Sequence, residues 1–451
     1  MGLIGHPHYG CALSAQQTVL AIPRGIPIVH AGPGCSSKAF GFSAYGAGYQ
    51  GEGYAGGSAV SSTNATEQDV VFGGERKLRD LVDGTLRIID GDLYVILSGC
   101  TSGIIGDDVV KIANEFADQG APVVGAETAG FRGSSYQGHE IVVSQIIDQF
   151  VGDRTPQKRP RLVNVFGIVP FQNPFWRGDL ENLKRLLESI GLEVNVLFGH
   201  DSKGAEEWLD IPNAQFNLVV SPWVDLGVAE DLQRRYGTPF LHCPLFPVGA
   251  AATSRFLRQV GLFAGIPAAV VESVIEREES RYYDYFLSLC NFISDMHNNI
   301  PQDLYTVADS LYGLGMSEFL VNELGCTLRG LYLVDDPPKK RVPLLRETAT
   351  ALGAAFDQVL TIENDGYVVQ QAVQESMEGR GGGIILGSTA ESHIAESTQS
   401  ILVRTCLPIN DDVIVTRSYL GYNGGLRLVE DIYAGVFRTG VISTLTQTRA
   451  L

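Results

Sequence analysis

Positive charge is scarce in this sequence: 33 lysines and arginines stand against 51 aspartates and glutamates, a formal net charge of −18. Nucleic acids and anionic membranes recruit proteins by counterion release to clustered Lys and Arg, so neither is expected as a partner. Long apolar runs are missing too, none approaching the roughly 18 residues a membrane span needs. The first residues, Met1 to His6, carry neither a basic segment ahead of an apolar core nor an Arg-rich amphipathic pattern. A soluble, cytoplasmic protein without a leader is the expectation. Seven cysteines in 451 residues follow no dense, regular spacing, which excludes a disulfide framework. They are core residues or ligands.

Glycine is in excess, at 52 residues, or about 12 per cent against a usual value of about 7. Part of that excess gathers between Gly25 and Gly57, where it suits close backbone approach better than side-chain packing. The stretch from Gly25 to Asp108 organises the chain. Ile26 to His30 and Leu93 to Ser98 read as short buried strands. The first leads into Gly32-Pro-Gly34-Cys35, and the second into Gly99-Cys100 and Ile104-Ile-Gly-Asp107-Asp108. In an open α/β sheet, loops beyond the carboxyl ends of strands are where ligands bind. Cys11, just ahead of the helix-like Ala12 to Ala21, completes a set of three.

The rest of the chain keeps the same rhythm. Asp107-Asp108 heads a helix from Val109 to Gln119 that Gly120 ends. Strands are expected at Pro122 to Gly125, Leu162 to Phe166, Val194 to Phe198, Phe216 to Val220 and Phe240 to Cys243. Others are expected at Leu304 to Ala308, Leu328 to Val334, Gln358 to Ile362 and Gly383 to Leu386. Asp179 is placed to cap a helix carrying Leu180, Leu183 and Leu187 on one face, and Arg277 to Tyr285 reads as a bridge. Strands alternating with helices imply parallel sheets covered on both faces. The fold class is therefore α/β, with three doubly wound, Rossmann-like domains at 1–155, 156–290 and 291–451, the last ending in a helical segment.

A thiolate is the form of cysteine that binds metal, and a helix N-terminus favours that anion. Cys11, Cys35 and Cys100 all sit at predicted helix starts on one side of one sheet. Three soft ligands without a matching histidine do not close a zinc site, and iron-sulfur clusters commonly take four cysteines. The missing ligands could come from another chain, making a metal cluster shared across a subunit interface the hypothesis that counting supports. Cys243, Cys290, Cys326 and Cys406 stand in apolar sequence and read as core. Asp107-Asp108 is a general acid/base pair, a pair of Mg²⁺ ligands or a helix cap, the cap being favoured. His30, His139 and His393 read as hydrogen-bonded structural residues. Gly32-x-Gly34 is only half of a dinucleotide fingerprint.

These same residues carry a resemblance. Tyr9-Gly-Cys11, His30-Ala-Gly-Pro-Gly-Cys35, Asp69-Val-Val-Phe-Gly-Gly74, Cys100-Thr-Ser-Gly-Ile-Ile-Gly-Asp-Asp108 and Gly130 to His139 are similar to component 1 of nitrogenase and its relatives. The resemblance implies that Cys11, Cys35 and Cys100 hold half of a P-cluster, an eight-iron, seven-sulfur centre between homologous subunits. It also implies three Rossmann-like domains. In that family the alpha-type subunit binds the active-site cofactor through a mid-chain cysteine and a C-terminal histidine. Here Asn217 to Trp223 has Ser221 in the cysteine's place, and Leu420 to Arg427 lacks the histidine, so the chain resembles beta-type, electron-relaying subunits. Gly130 stands where some beta subunits offer a serine to the oxidised cluster.

The short N-terminus and the glycine-rich passage depart from nitrogenase itself and are closer to the nitrogenase-like methylthio-alkane reductases. The implied partners are a homologous, cofactor-bearing alpha-type subunit, in an alpha2beta2 complex, and a transiently docking ATP-dependent iron-sulfur reductase. An alternative nitrogenase, a tetrapyrrole reductase and a cofactor-assembly scaffold are the other readings the resemblance leaves open.

Overall fold

Short runs of Ile, Val and Leu bounded by glycine or polar residues form the centre of each sheet. β1 (Gly25–His30) and β3 (Leu93–Ser98) pair in parallel from Gly25 against Leu93 to His30 against Ser98. β4 (Val123–Ala126) lies beyond β3, and the two-residue β2 (Ser61–Ser62) beyond β1, giving the order β2-β1-β3-β4. Successive side chains of a strand point to opposite faces. Tyr94 and Ile96 accordingly pack with Leu78, Val82 and Ile112, while Val95 and Leu97 enter the main core with Val142 and Val143. Burial on both faces is why the strand sequences are continuously apolar rather than alternating. The computed structural model describes residues 4–35, 46–50, 60–296 and 300–438; most of the glycine-rich passage lies outside them.

The second sheet contains β5 (Arg159–Phe166), β6 (Glu193–Asn195), β7 (Ala214–Val220) and β8 (Phe240–Cys243), ordered β6-β5-β7-β8. The third contains β9 (Asp303–Ala308), β10 (Thr327–Leu333), β11 (Leu360–Ile362), β12 (Ile384–Gly387) and β13 (Ile401–Arg404), ordered β11-β10-β9-β12-β13. Every strand pair is parallel, so the chain has the α/β architecture of three parallel sheets that the sequence implies. In each sheet two neighbouring strands send their connections in opposite directions: β1 and β3, β5 and β7, β9 and β12. A crevice opens at the carboxyl ends of such a pair, the usual ligand position of an open α/β sheet. Cys35 and Cys100 follow the first pair, Gly167 and Ser221 the second, Asp309 and Ser388 the third.

One local expectation is refined and another corrected. Arg277 to Tyr285, in the connection between the second sheet and the third, is the middle of a 29-residue helix, Ala268–Met296. Val271, Val274, Ile275 and Tyr282 form its buried stripe at helical spacing, and the charged residues between them hide that period. A helix at Gly249–Ala264, stopped by Gly265 at φ 70°, precedes it. Asp179 does not cap a helix. It lies inside the first turn of Trp176–Ser189, fully buried. No helix among the described residues is long and apolar enough to cross a membrane.

Candidate functional site

Cys100 opens the helix Cys100–Ile105 just past the end of β3. Gly99 N–H donates to the His30 carbonyl at 2.9 Å, and Ser102 Oγ donates to the same oxygen at 2.5 Å. The start of this helix is thereby fastened to the end of β1. Cys11 arrives from the other side, immediately before the 3-10 turn Ala12–Ala15. It forms an isolated antiparallel bridge with Ser134, supported by Ala12 N–H to the Gly133 carbonyl at 3.0 Å and Ser135 N–H to the Gly10 carbonyl at 2.7 Å.

The two cysteines meet at Gly130. Its backbone N–H donates to Cys100 Sγ at 3.2 Å. The point a Cβ on Gly130 would occupy is 3.0 Å from Cys100 Sγ and 3.6 Å from Cys11 Sγ. Glycine therefore leaves both sulfurs uncovered, and both cysteines are exposed. Cys35 is half-buried beyond β1, its N–H turned back to the Gly32 carbonyl at 3.2 Å. The fold thus brings Cys11 and Cys100 together and sets Cys35 on the same sheet edge. Among the described residues no three His, Cys, Asp or Glu side chains converge as a ready-made ion site.

The tandem aspartates divide two tasks. Asp108 is the expected cap, accepting Lys111 N–H at 2.8 Å. Asp107 turns inward instead: its carboxylate accepts Gly74 N–H at 3.0 and 3.2 Å and lies 2.8 Å from His30 Nε2. His30 Nδ1 is in turn 3.0 Å from Thr63 Oγ1. Asp69 belongs to a capping box with Thr66 that starts the short helix Glu67–Phe72. That helix ends in exposed apolar residues, Phe72 being 85% exposed, and Ile104 and Phe131 are exposed as well. An apolar rim thus borders the uncovered thiols.

The crevices of the other two sheets are filled from within. Ser221 Oγ accepts N–H groups from Trp223 at 3.4 Å and Val224 at 3.1 Å, so its side chain serves its own turn. Trp223 is 0% exposed, meets Tyr136 edge-on at 6.0 Å between ring centres and donates from Nε1 to Asp335 Oδ2 at 2.7 Å. Asp309 Oδ1 accepts Tyr312 N–H at 3.0 Å, and Glu391 Oε1 lies 3.2 Å from His8 Nε2. Asp179 accepts the hydroxyls of Tyr312 at 2.5 Å and Ser418 at 2.6 Å. Burial pushes its carboxyl up to about 7, and raises those of Asp309 and Asp335 as well. Leu420 is buried in the same packing.

His139 is buried between Thr18 Oγ1 at 2.9 Å and Asp225 Oδ2 at 3.3 Å, and His393 is exposed with Nδ1 3.0 Å from the Ala390 carbonyl oxygen. Cys243, Cys326 and Cys406 are core residues whose thiols burial holds high, Cys243 at about 12. Cys290 corrects its expectation: it is exposed on the helix Ala268–Met296, because the buried stripe runs along another face. The roles of Gly130 and Asp107 were missed in the sequence. The signal available at Gly130 was the glycine itself, which puts no side chain over its neighbours.

A sequence profile for the family described as Nitrogenase component 1 type Oxidoreductase matches residues 11–437. The chain belongs to that family. Its relatives include the nitrogenase molybdenum-iron protein alpha chain of Methanothermobacter thermautotrophicus, 28% identical over 60% of this chain. That alignment spans 59% of the relative, less than two thirds of its length. The nitrogenase molybdenum-iron protein beta chain of Methanococcus maripaludis is 25% identical over 93% of this chain and 91% of its own. Among solved structures, nitrogenase Cp1 at pH 6.5 superposes with a TM-score of 0.76 at 21% identity, covering 97% of this chain and 94% of that one. This nitrogenase component 1 member therefore shares its three-sheet fold with a solved nitrogenase chain.

Proposed function

We propose that this chain is the beta-type subunit of a nitrogenase-like reductase, in which Cys11, Cys35 and Cys100 supply one half of a P-cluster-like iron-sulfur centre. The observation that carries the reading is the pair of exposed sulfurs of Cys11 and Cys100, both within 3.6 Å of one point left bare by Gly130. These residues fit the group. The donors are soft, they are uncovered on the outward side, and the third thiol stands on the same sheet edge. An iron-sulfur centre held there would supply a store and relay of electrons.

This chain's own residues supply the setting. Gly130 donates its N–H to Cys100 Sγ, which orients that sulfur. Exposed Ile104 and Phe131 offer apolar surface for the partner subunit to cover, and Phe72 offers it to the reductase. A homologous alpha-type subunit would complete the coordination and hold the substrate-reducing cofactor, since Ser221 and Leu420 are already committed inside this chain. An ATP-dependent iron-sulfur reductase would dock transiently at the junction. The proposed reaction is reductive cleavage of a methylthio-alkane to a thiol and a small hydrocarbon, in an alpha2beta2 complex.

The test is turnover by the two-subunit complex with the reductase, ATP and a methylthio-alkane. Thiol and hydrocarbon released in equal amounts, only when ATP and reductase are present, is the expected result. A complex that carries a cluster and releases it to another protein without turnover would instead be an assembly scaffold.

A further inference from the structure

The buried carboxylate of Asp107 joins three segments that the sequence keeps apart. His30 closes β1 and leads to Cys35; Gly74 follows the exposed helix Glu67–Phe72; Asp107 itself follows the helix that Cys100 begins. Asp107 accepts Gly74 N–H at 3.0 and 3.2 Å and lies 2.8 Å from His30 Nε2, with the His30 side chain 0% exposed and its own 5%. The contact is close enough to dictate sequence. A Cβ on Gly74 would lie 2.7 Å from Asp107 Oδ2 and 2.8 Å from His30 Cε1, so any larger residue there would displace one of these two side chains. Thr63 extends the link, since its Oγ1 meets His30 Nδ1 at 3.0 Å while its N–H donates to the Val29 carbonyl at 3.0 Å. The adjacent Asp108 takes no part and caps its own helix.

We infer that Asp107 is a positioning residue that couples the exposed apolar helix Glu67–Phe72 to the two loops bearing Cys35 and Cys100. A carboxylate suits the task because its two oxygens can accept several donors at once, and a buried donor left without an acceptor is costly. The three segments therefore shift together or not at all. A reductase docked over Phe72 acts, through Gly74 and Asp107, on the spacing of the cysteine loops, and by linkage the state of those loops acts on docking at Phe72. This inference rests on the reading of that edge as a cluster half-site facing a reductase.

Hydrogen exchange followed by mass spectrometry on the purified complex, with and without the ATP-dependent iron-sulfur reductase, tests it. In Asp107→Ala, exchange at 31–35, 67–74 and 100–106 is expected to rise together, several-fold, while Asp108→Ala loosens only 108–112. Added reductase should slow exchange at 67–72 in wild type and Asp107→Ala alike, but alter 100–106 in wild type only. Asp107→Asn, which keeps one acceptor, gives the same pattern more weakly and serves if the alanine variant does not fold. Transmission to 100–106 surviving in either Asp107 variant, or loosening confined to 100–108, overturns the coupling. Reductase that protects nothing in wild type counts against the proposed function instead, and the joint or separate loosening still decides the role of Asp107.

Discussion

Beyond β1 and β3 the chain leaves two sulfurs exposed under a glycine; beyond β9 and β12 it buries Asp309, Glu391 and Cys406. Both crevices arise where connections leave neighbouring strands in opposite directions, so topology alone does not decide which becomes a site. Side-chain volume does. At the first edge Gly130 withholds a side chain, and the nearby large residues Phe72 and Phe131 point outward. Around the other two, Trp223, Tyr136, Tyr312 and Tyr419 fill the space and their polar atoms find partners within the chain, as Trp223 Nε1 does at Asp335 and Tyr419 Oη at Asp431. An edge filled by the chain's own side chains offers little surface to another molecule, whereas an edge with exposed soft donors and an apolar rim does offer it.

The largest contrast should come from the cysteines. Alanine at Cys11, Cys35 or Cys100 is expected to strip or distort the cluster and lower activity of the complex by orders of magnitude. Cys243→Ala and Cys326→Ala should leave iron unchanged and cost about 1–3 kcal/mol through packing; iron analysis and denaturant unfolding separate the two classes. Hollowing a filled edge with Trp223→Ala should cost about 3–5 kcal/mol yet leave iron per folded molecule as it was.

Asp179 makes the filled interior sensitive to pH. Its folded carboxyl sits at about 7, above the ordinary value near 3.8. Below about pH 4 both states are protonated. Between there and about 7 the unfolded chain ionises first, so stability falls as pH rises and levels off above. Asp179→Asn should flatten that fall by something on the order of 2 kcal/mol, read from denaturation at pH 5 and 7.5. The smallest effect belongs to exposed Cys290, where alanine should change stability by less than about 0.5 kcal/mol and iron not at all.

Much of this was legible in the amino-acid order. The strand Leu93–Ser98 falls where its apolar run places it, because a strand buried on both faces must be apolar throughout; the half-buried edge strand Phe240–Cys243 also falls where expected, although His242 interrupts its apolar run. Ser61–Ser62 was not legible, since a two-residue edge strand has no period to read. Ala268–Met296 was hidden by the charged run Arg277 to Arg281, whose residues are exposed or half-buried. At the site, the cysteines announced themselves by residue type, but Cys290 did not show its exposure, which depends on where the stripe of its helix points. Asp107 and Asp108 are alike in sequence and opposite in use. Only the position of Gly74 and His30 across the fold separates them.

The most direct test is iron and sulfide per chain, measured after anaerobic purification of this subunit alone and together with its alpha-type partner. A site shared between chains predicts little metal on the lone subunit, a full complement on the pair, and its loss from the pair when Cys11, Cys35 and Cys100 are all replaced by alanine. Stable, complete loading of the lone subunit, or an unchanged complement in the triple variant, would contradict it.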